Sequence, residues 1–469
     1  MKLTAKPVDR GDMGAVGISF GSPTSGQGFD VASTVDRIIT NMQAIETPWK
    51  TQVATLQAQD AALTSIGSDL SSLSSALSTL TDFQGVLAEK EGSSSDTSVL
   101  QLTSAATTAV AGSHTIVVNS LAQTSSYYSD AISGSDTLSG SLTLAVGGGA
   151  AQTITIDSTN NTLASLASAI NSGNYGVSAS VITNGTTQRL SLVSNTSGAV
   201  GDITVSGALS DATTSAAINF TQGQAGQDAQ FTVDGISATS ASNSVSNVIP
   251  GVTFQLLSAA PGTNVQVEIT NNNGDVESAI SKFVNAYNAV MKDLNTEEGN
   301  NSAGNPQPLY GSPVIATLQS QLQQALDFTQ SSGAVTSFTQ LGISVNNDGT
   351  LSLNTDTLQS ELGSNYQDVV KFFQPSGSFT SFGGNFTTAL NNMGNSTTNG
   401  IVTLALKENA TQESTLNKNI SNEEAIISTE KANLTAELNQ ANYILEAIPA
   451  QINEVNQIYS AITGYNEKS

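Results

Sequence analysis

VASTVDRIITNMQAIETPWKTQVATLQAQDAALTSIGSDLSSLSSALSTLTDF, residues 31–83, carries Val35, Met42, Trp49, Leu56, Leu63, Leu70 and Leu77 at every seventh position. Ile38, Ile45, Ile66, Leu73 and Leu80 hold the second seam position, where Gln52 and Gln59 interrupt with polar groups. An a/d pattern sustained over this many heptads predicts helix that pairs along one stripe with another helix. Pro48 lies inside the pattern. Proline removes a helix hydrogen bond and clashes with the preceding turn, at a cost of ~3 kcal/mol. A break is therefore expected there, between a short leg over 31–47 and a longer helix over 49–83.

The other end of the chain mirrors this. Ile420, Ile427, Leu434, Ala441, Ile448, Val455 and Ile462 are spaced by seven, and Leu438, Leu445, Ile452 and Tyr459 supply the second seam position. Pro449 interrupts this arm as Pro48 interrupts the first. Two heptad arms, each broken by a proline, suggest that the ends pair. The inner parts (49–83 and 401–447) read as core stripes of one helical bundle. Nothing else in the sequence is left to cover the outermost legs, so they are expected to make contacts between subunits. The candidate contact residues are Val31, Val35, Ile38, Met42 and Ile45 in one leg. In the other they are Ile448, Ile452, Val455, Tyr459 and Ile462, with Pro48 and Pro449 as hinges. Trp49 is either an interface anchor or a core aromatic. Isolated helices of ~12–15 residues are marginal in water. The legs are thus expected to be mobile in the free chain and to order on assembly.

Between the arms the pattern turns to β. HTIVVNSLA (114–122), SLTLAV (141–146), QTITID (152–157), VSASVIT (177–183), RLSLVS (189–194), DITVSG (202–207), FTVDGI (231–236), VTFQLL (252–257) and NVQVEIT (264–270) alternate or run β-branched. Gly, Asn and Asp punctuate them. One short helix is expected at 162–171, where Leu163, Leu166, Ala167 and Ile170 share a face. Helices return afterwards: Val276, Ile280, Phe283, Tyr287, Val290 and Leu294 make one face, and Ile315, Leu318, Leu322 and Leu326 another. LGISVNNDGTLSLN (341–354) reads as a hairpin turning at Asn-Asp-Gly.

The expected fold class is α+β and multi-domain, with terminal coiled-coil legs, a helical bundle stalk and two nested β-rich domains. The boundaries run as follows: a disordered leader over 1–30, legs over 31–47 and 448–469, and a helical stalk with a β-hairpin over 48–90 and 276–447. An inner β-domain takes 91–128 and 226–275, and an outer one 129–225. Met13 is a second candidate start.

Composition narrows the function. Of 469 residues only 11% are charged, and removing the apolar, charged, Gly, Pro and His residues leaves about 40% as Ser, Thr, Asn and Gln. Metabolic enzymes rarely look like this; surface-exposed secreted proteins often do. Fourteen Lys and Arg against 38 Asp and Glu give a net charge of −24. So few cations cannot build a stripe that neutralises phosphates, which argues against nucleic acid. No run of 18 apolar residues occurs, so no spanning helix and no membrane insertion are expected. The beginning of the chain lacks the apolar core of an ordinary secretory signal.

Chemistry has little to work with. There are no cysteines and one histidine, His114. Disulfides, thiolate sites, multi-His metal sites and His-based relays lack material. Asn346-Asn347-Asp348-Gly349 resembles part of a calcium loop, but no bidentate Glu follows and a turn is the better reading. Gly147-Gly148-Gly149 lacks the Lys and Ser/Thr of a phosphate loop. Gly11, Gly14 and Gly17 precede no strand-to-helix unit. No nucleophile elbow accompanies His114. Asn184-Gly185-Thr186 fits a glycosylation sequon of a kind frequent by chance here. No enzyme, cofactor or metal is expected; function lies in surfaces.

Several segments, in order, resemble one family. GFDVASTVDRII (28–39) resembles its N-terminal opening, with Phe29 in place of the usual Leu. HTIVVNSLAQTSSYYS (114–129) is similar to an early strand and Leu-Ala-Gln motif. TLASLASAINSGNYGVSASVITNGTTQRLSLVSNTSG (162–198) is similar to a helix–strand–strand unit. AQFTVDGISATSASNSVSNVIPGVTFQLL (229–257) is the most specific match, and VESAISKFVNAYNAVMKDLN (276–295) and LGISVNNDGTLSLN (341–354) continue it. The C-terminal arm agrees in periodicity more than in residues. The family is that of the flagellar filament capping proteins, the FliD family, and the resemblance spans about 28–373. It implies a structural cap at the distal end of a bacterial flagellar filament, secreted and extracellular. Members form a small ring, often of five subunits, whose legs enter the growing end. There they promote folding and insertion of exported flagellin and prevent its loss. Implied partners are flagellin, hook-associated proteins and a flagellar export chaperone, and some members are linked to adhesion to host surfaces. A hook–filament junction protein or a secreted adhesin would share parts of the pattern but not the 229–257 segment.

Overall fold

The computed structural model describes residues 28–374, 380–394 and 399–463; most of the expected leader and the last residues of the second leg lie outside them. The chain opens with α1 (Val31–Gln43) and α2 (Thr47–Thr81). Asp30 caps α1, its carboxylate accepting the Ser33 N–H. The break falls over 44–46, a little before the expected one, and Pro48 sits in the first turn of α2, where a missing N–H costs least. Leu63, Ile66, Leu70, Leu73, Leu77 and Leu80 are all buried, so the heptad stripe of α2 is a core stripe.

The strands follow. β1 (Lys90–Ser94), β2 (Leu100–Ala105) and β3 (Gly112–Ser120) come first. Then come β4 (Thr124–Ser129), β5 (Ile132–Ser133), β6 (Leu138–Val146), β7 (Gln152–Thr155), α3 (Leu163–Ser172), β8 (Val177–Asn184), β9 (Thr187–Ser197), β10 (Ile203–Asp211) and β11 (Phe220–Gln224). The return runs through β12 (Ala229–Val233), β13 (Ile236–Ser240), β14 (Ser244–Val245), β15 (Val252–Leu256) and β16 (Val265–Asn271). Pairing is antiparallel throughout these sheets. The order β1-β16-β3-β12-β13 makes one sheet and β14-β15-β2 a smaller one. They share a core in which Phe231 and Phe254 meet edge to face at 5.9 Å. β1 pairs with β16 from Lys90↔Asn271, so the strand that leaves the helices lies beside the strand that returns to them. That pairing is the physical form of a nested insertion.

A second β-core lies further out. β11-β4-β9-β5, with β8 on β9, and β10-β6-β7 enclose it with α3. Thr162 caps α3 in a reciprocal box with Ser165. Leu163, Leu166, Ala167 and Ile170 are the buried face, as the spacing predicts. β4 pairs with β9 and β11, so residues 124–128, grouped above with the inner domain, stand in the outer sheet. The two crossings between the β-units are tied by the Gln123↔Gln227 bridge.

Helices then close the fold: α4 (Asn273–Glu297), α5 (Pro313–Leu326), the hairpin β17 (Ile343–Val345) and β18 (Leu351–Leu353), α6 (Thr355–Ser364), α7 (Tyr366–Phe373), α8 (Phe382–Met393) and α9 (Ile401–Thr463). Val276, Ile280, Phe283, Tyr287, Val290 and Leu294 are all fully buried against α2 and its neighbours. Phe283, Phe338, Phe372, Phe382 and Phe386 interlock, with centroids as close as 4.2 Å between Phe338 and Phe382. α9 is continuous: Pro449 lies inside it, and the break expected there does not form. Proline leaves the carbonyl four residues back, that of Leu445, without its helical donor. On this lightly covered stretch water can take that place, so the helix runs on.

Candidate assembly interface

The two ends of the chain pair with each other. As residue numbers rise along α1 and α2, they fall along α9. Phe29 N–H donates to Asn442 Oδ1 at 2.8 Å, Lys431 Nζ to Asp36 Oδ1 at 3.0 Å, and Asn409 Nδ2 to Asp60 Oδ1 at 2.8 Å. Lys50 Nζ lies 3.5 Å from Glu424 Oε1. α1 and α2 therefore lie end to end along one face of an antiparallel α9.

The apolar content of the α1 contact is small. Val35, Ile39 and Ile427 are buried, and Val31, Met42, Leu434 and Leu438 pack half-buried around them. The first leg thus has a partner in its own chain, where the sequence reading put that contact between subunits. Ile39, which that reading passed over, takes the place expected of Ile38, and Ile38 is only half-buried. Ile45 is exposed, whereas the neighbouring Glu46 is buried at 1%. Glu46 Oε2 accepts from Lys50 Nζ at 2.7 Å, and its Oε1 is buried with no described partner. The one sequence signal for this corner was the Glu46/Lys50 spacing of four, which pairs opposite charges on a helix. Trp49 is half-buried at the start of α2.

Along 401–447, α9 joins the helical core only at its start, where Ile401, Val402, Ala405 and Leu406 pack into it. Further along only Ile427 is buried; Ile420, Leu434, Leu438 and Ala441 are half-buried. Beyond the level of Phe29 the helix continues for about 30 Å at 1.5 Å per residue. Here Ile448 is half-buried, while Ile452, Val455, Tyr459 and Ile462 are exposed, the last at 79%. Tyr443, Ile444 and Ile458, outside the predicted seam, add to this apolar end.

His114 lies in the inner β-unit, on β3. Its Nδ1 lies 2.7 Å from Asp234 Oδ2, and Asp234 Oδ1 accepts the Thr115 N–H at 2.8 Å. The hydrogen bond with His114, then that from Thr115, holds the Asp234 carboxyl below the usual range. Asp234 and Gly235 both have positive φ, at 51° and 81°, which makes the β12–β13 turn a primed hairpin turn. The pair staples that turn to β3.

Comparison with known proteins bears on the whole arrangement. Residues 27–125 match the family model for the flagellar hook-associated protein 2 N-terminus, and residues 226–454 match that for its C-terminus. The chain belongs to the flagellar hook-associated protein 2 (FliD) family. The stretch between, 141–196, matches a flagellin hook IN motif. B-type flagellar hook-associated protein 2 of Pseudomonas aeruginosa is 31% identical over 316 residues, 61% of this chain and 66% of that protein. Flagellar hook-associated protein 2 of Escherichia coli K12 is 27% identical over 400 residues, 79% of this chain and 84% of that protein. The crystal structure of the flagellar cap protein FliD D1-D2-D3 domains from Escherichia coli superposes with a TM-score of 0.56 at 28% identity, covering 74% of this chain and 99% of that one. Within this FliD-family chain, the C-terminal match ends at 454 and stops short of Val455, Tyr459 and Ile462.

Proposed function

We propose that this chain is a structural cap of a bacterial flagellar filament, extracellular at the distal tip, where it meets flagellin and helps exported subunits fold and insert. The reading takes the cap to be a ring of identical subunits, five in number, carried to the tip with the help of an export chaperone. The legs enter the filament end, and the first of them bends at the corner before Pro48. Hook-associated proteins are its neighbours in the axial structure.

One observation carries the reading: both halves of the family model fall, in order, on the two chain segments that build the paired helices and the inner β-unit. The exposed apolar end of α9 supports the ring, because Ile452, Val455, Ile458, Tyr459 and Ile462 have much apolar surface left to bury. The 229–257 segment, which a junction protein or an adhesin would lack, lies within the C-terminal match.

The test is the position and copy number of the protein on filaments by electron microscopy with a label on the outer β-unit. Label confined to distal tips in a fixed small number per filament supports the cap. Label along the shaft, at the hook junction, or absent from filaments overturns it.

A further inference from the structure

The corner between α1 and α2 is inverted. It buries a carboxylate, Glu46, and turns an isoleucine, Ile45, to water at 44% exposure. The heptad pattern requires the opposite, since Ile38 and Ile45 continue the seam of α2 and Glu46 does not.

The backbone shows the cause. Ala44, Ile45, Glu46 and Thr47 each donate three residues back, to Asn41, Met42, Gln43 and Ala44, in the pattern of a 3₁₀ turn. Pro48 has no N–H for the Ala44 carbonyl, and Thr47 N–H takes it instead. A 3₁₀ turn advances 120° per residue against 100° in an α-helix, so four such residues rotate α1 by roughly 80° against α2. That is close to one residue. It carries Ile39 to where an unbroken helix would set Ile38, while Glu46, inside the turn, moves part of the way toward the place of Ile45.

We infer that this corner is a two-position latch. In the position seen, α1 lies on its own α9 through Val35, Ile39 and Met42, with Glu46 held by Lys50 and Lys50 in turn near Glu424. In the other, the turn relaxes to α-helix, Ile38 and Ile45 enter the seam, and Glu46 swings to water. The buried Glu46 Oε1, which has no partner among the described residues, is what keeps the first position poised. That a helix of this chain can run through a proline is seen in α9, which passes Pro449 without a break. The inference rests on the cap reading for its purpose: assembly selects the second position and presents a remodelled leg to a second copy.

The chain has no cysteine, so single thiols report cleanly. Ile45→Cys and Glu46→Cys are made separately and their reaction with a soluble maleimide is timed, in the free chain and in the assembled ring. In the free chain the thiol at 45 reacts about tenfold or more faster than that at 46, as their burial requires. In the ring the order reverses. An unchanged order in a verified ring overturns the latch while leaving the cap reading intact. A second arm needs no ring. Adding Pro48→Ala restores the missing donor and shrinks or reverses the ratio in the monomer; an unchanged ratio there overturns the latch. Failure of the unaltered chain to form rings or reach tips would instead sink the cap reading, and the monomer arm would still decide the latch.

Discussion

Replacing Val455 and Ile462 together by serine removes apolar surface that the free chain does not use. Val455 is 63% and Ile462 79% exposed on the last turns of α9. Fully burying such a side chain stabilises by ~1.5–3 kcal/mol, so about 1–2 kcal/mol at each position is still to be gained on assembly. Losing about 2–4 kcal/mol per subunit weakens the contact roughly 30- to 700-fold, at 1.4 kcal/mol per factor of ten. Serine has nearly the helix propensity of valine and isoleucine, so α9 itself persists. Sedimentation velocity across a concentration series is the assay, with thermal melting of the monomer beside it. The expected result is a shift of the oligomer boundary to higher concentration by a factor in that range, with an unchanged melting profile. If the double variant assembles as the parent does, the second leg is not an intersubunit surface. If the monomer melts earlier, those residues were packed in the free chain and the reasoning from exposure is wrong.

Further outcomes test the helical core. Tyr287 is fully buried and its Oη has no described partner, so Tyr287→Phe should stabilise that unit by about 1–3 kcal/mol in urea titrations. Burial also pushes the Tyr287 hydroxyl well above its ordinary value, and that of Tyr366 up to about 12. A raised folded pKa means that above pH ~10 the unfolded chain loses a proton that the folded chain keeps, so stability falls as pH rises past 10. Tyr287→Phe should flatten that alkaline fall, and a steeper one would contradict the assignment. Phe283→Ala, in the centre of the aromatic cluster, should cost about 3–5 kcal/mol. Phe83→Ala, at a side chain 65% exposed, should change stability by less than ~0.5 kcal/mol in the same titration.

How far the sequence could be read depended on whether packing was local. The α4 face was legible to the residue, because Val276 through Leu294 repeat at helical spacing and every named position is buried. FTVDGI, read above as one β segment, instead turns at Asp234-Gly235, two residues whose positive φ sets the hairpin. The seam of α1 was misread by one residue. The rotation comes from a hydrogen bond that Pro48 cannot make, and periodicity alone treats the helix as unbroken. Pro449 was misread in the other direction, since a proline costs enough to end a helix only where another conformation offers more burial. α8, with Gly383 and Gly384 in its first turn, does space Phe382, Phe386, Leu390 and Met393 on one face, but the stretch is short and was not assigned from sequence. What fixes it is contact of Phe382 and Phe386 with Phe283, nearly a hundred residues earlier. The membership of β4 was equally out of reach, because alternation says that a strand is half-buried and not which sheet it joins.

Salt should act on the legs through two separate routes. Among the described residues, the lysine ion pairs that join one helix to another are Lys50–Glu424 and Lys431–Asp36, and both hold α1 and α2 to α9. Their side chains are more than half exposed, so each contributes ~0–1 kcal/mol at most. Raising ionic strength from 0.01 to 0.15 M shortens the screening length from ~30 to ~8 Å, which weakens both. The same change screens the mutual repulsion of chains that each carry a net charge of −24. Screening thus weakens the bridges within the chain while easing the repulsion between chains. Hydrogen exchange of residues 31–43 in the monomer should therefore quicken modestly with salt, by up to roughly fivefold per kcal/mol lost. Over the same titration light scattering should show oligomers growing. If the leg slowed its exchange, the bridges would not be what holds it. If oligomers dissolved as salt rose, attraction between charges rather than the apolar end of α9 would be what draws the subunits together.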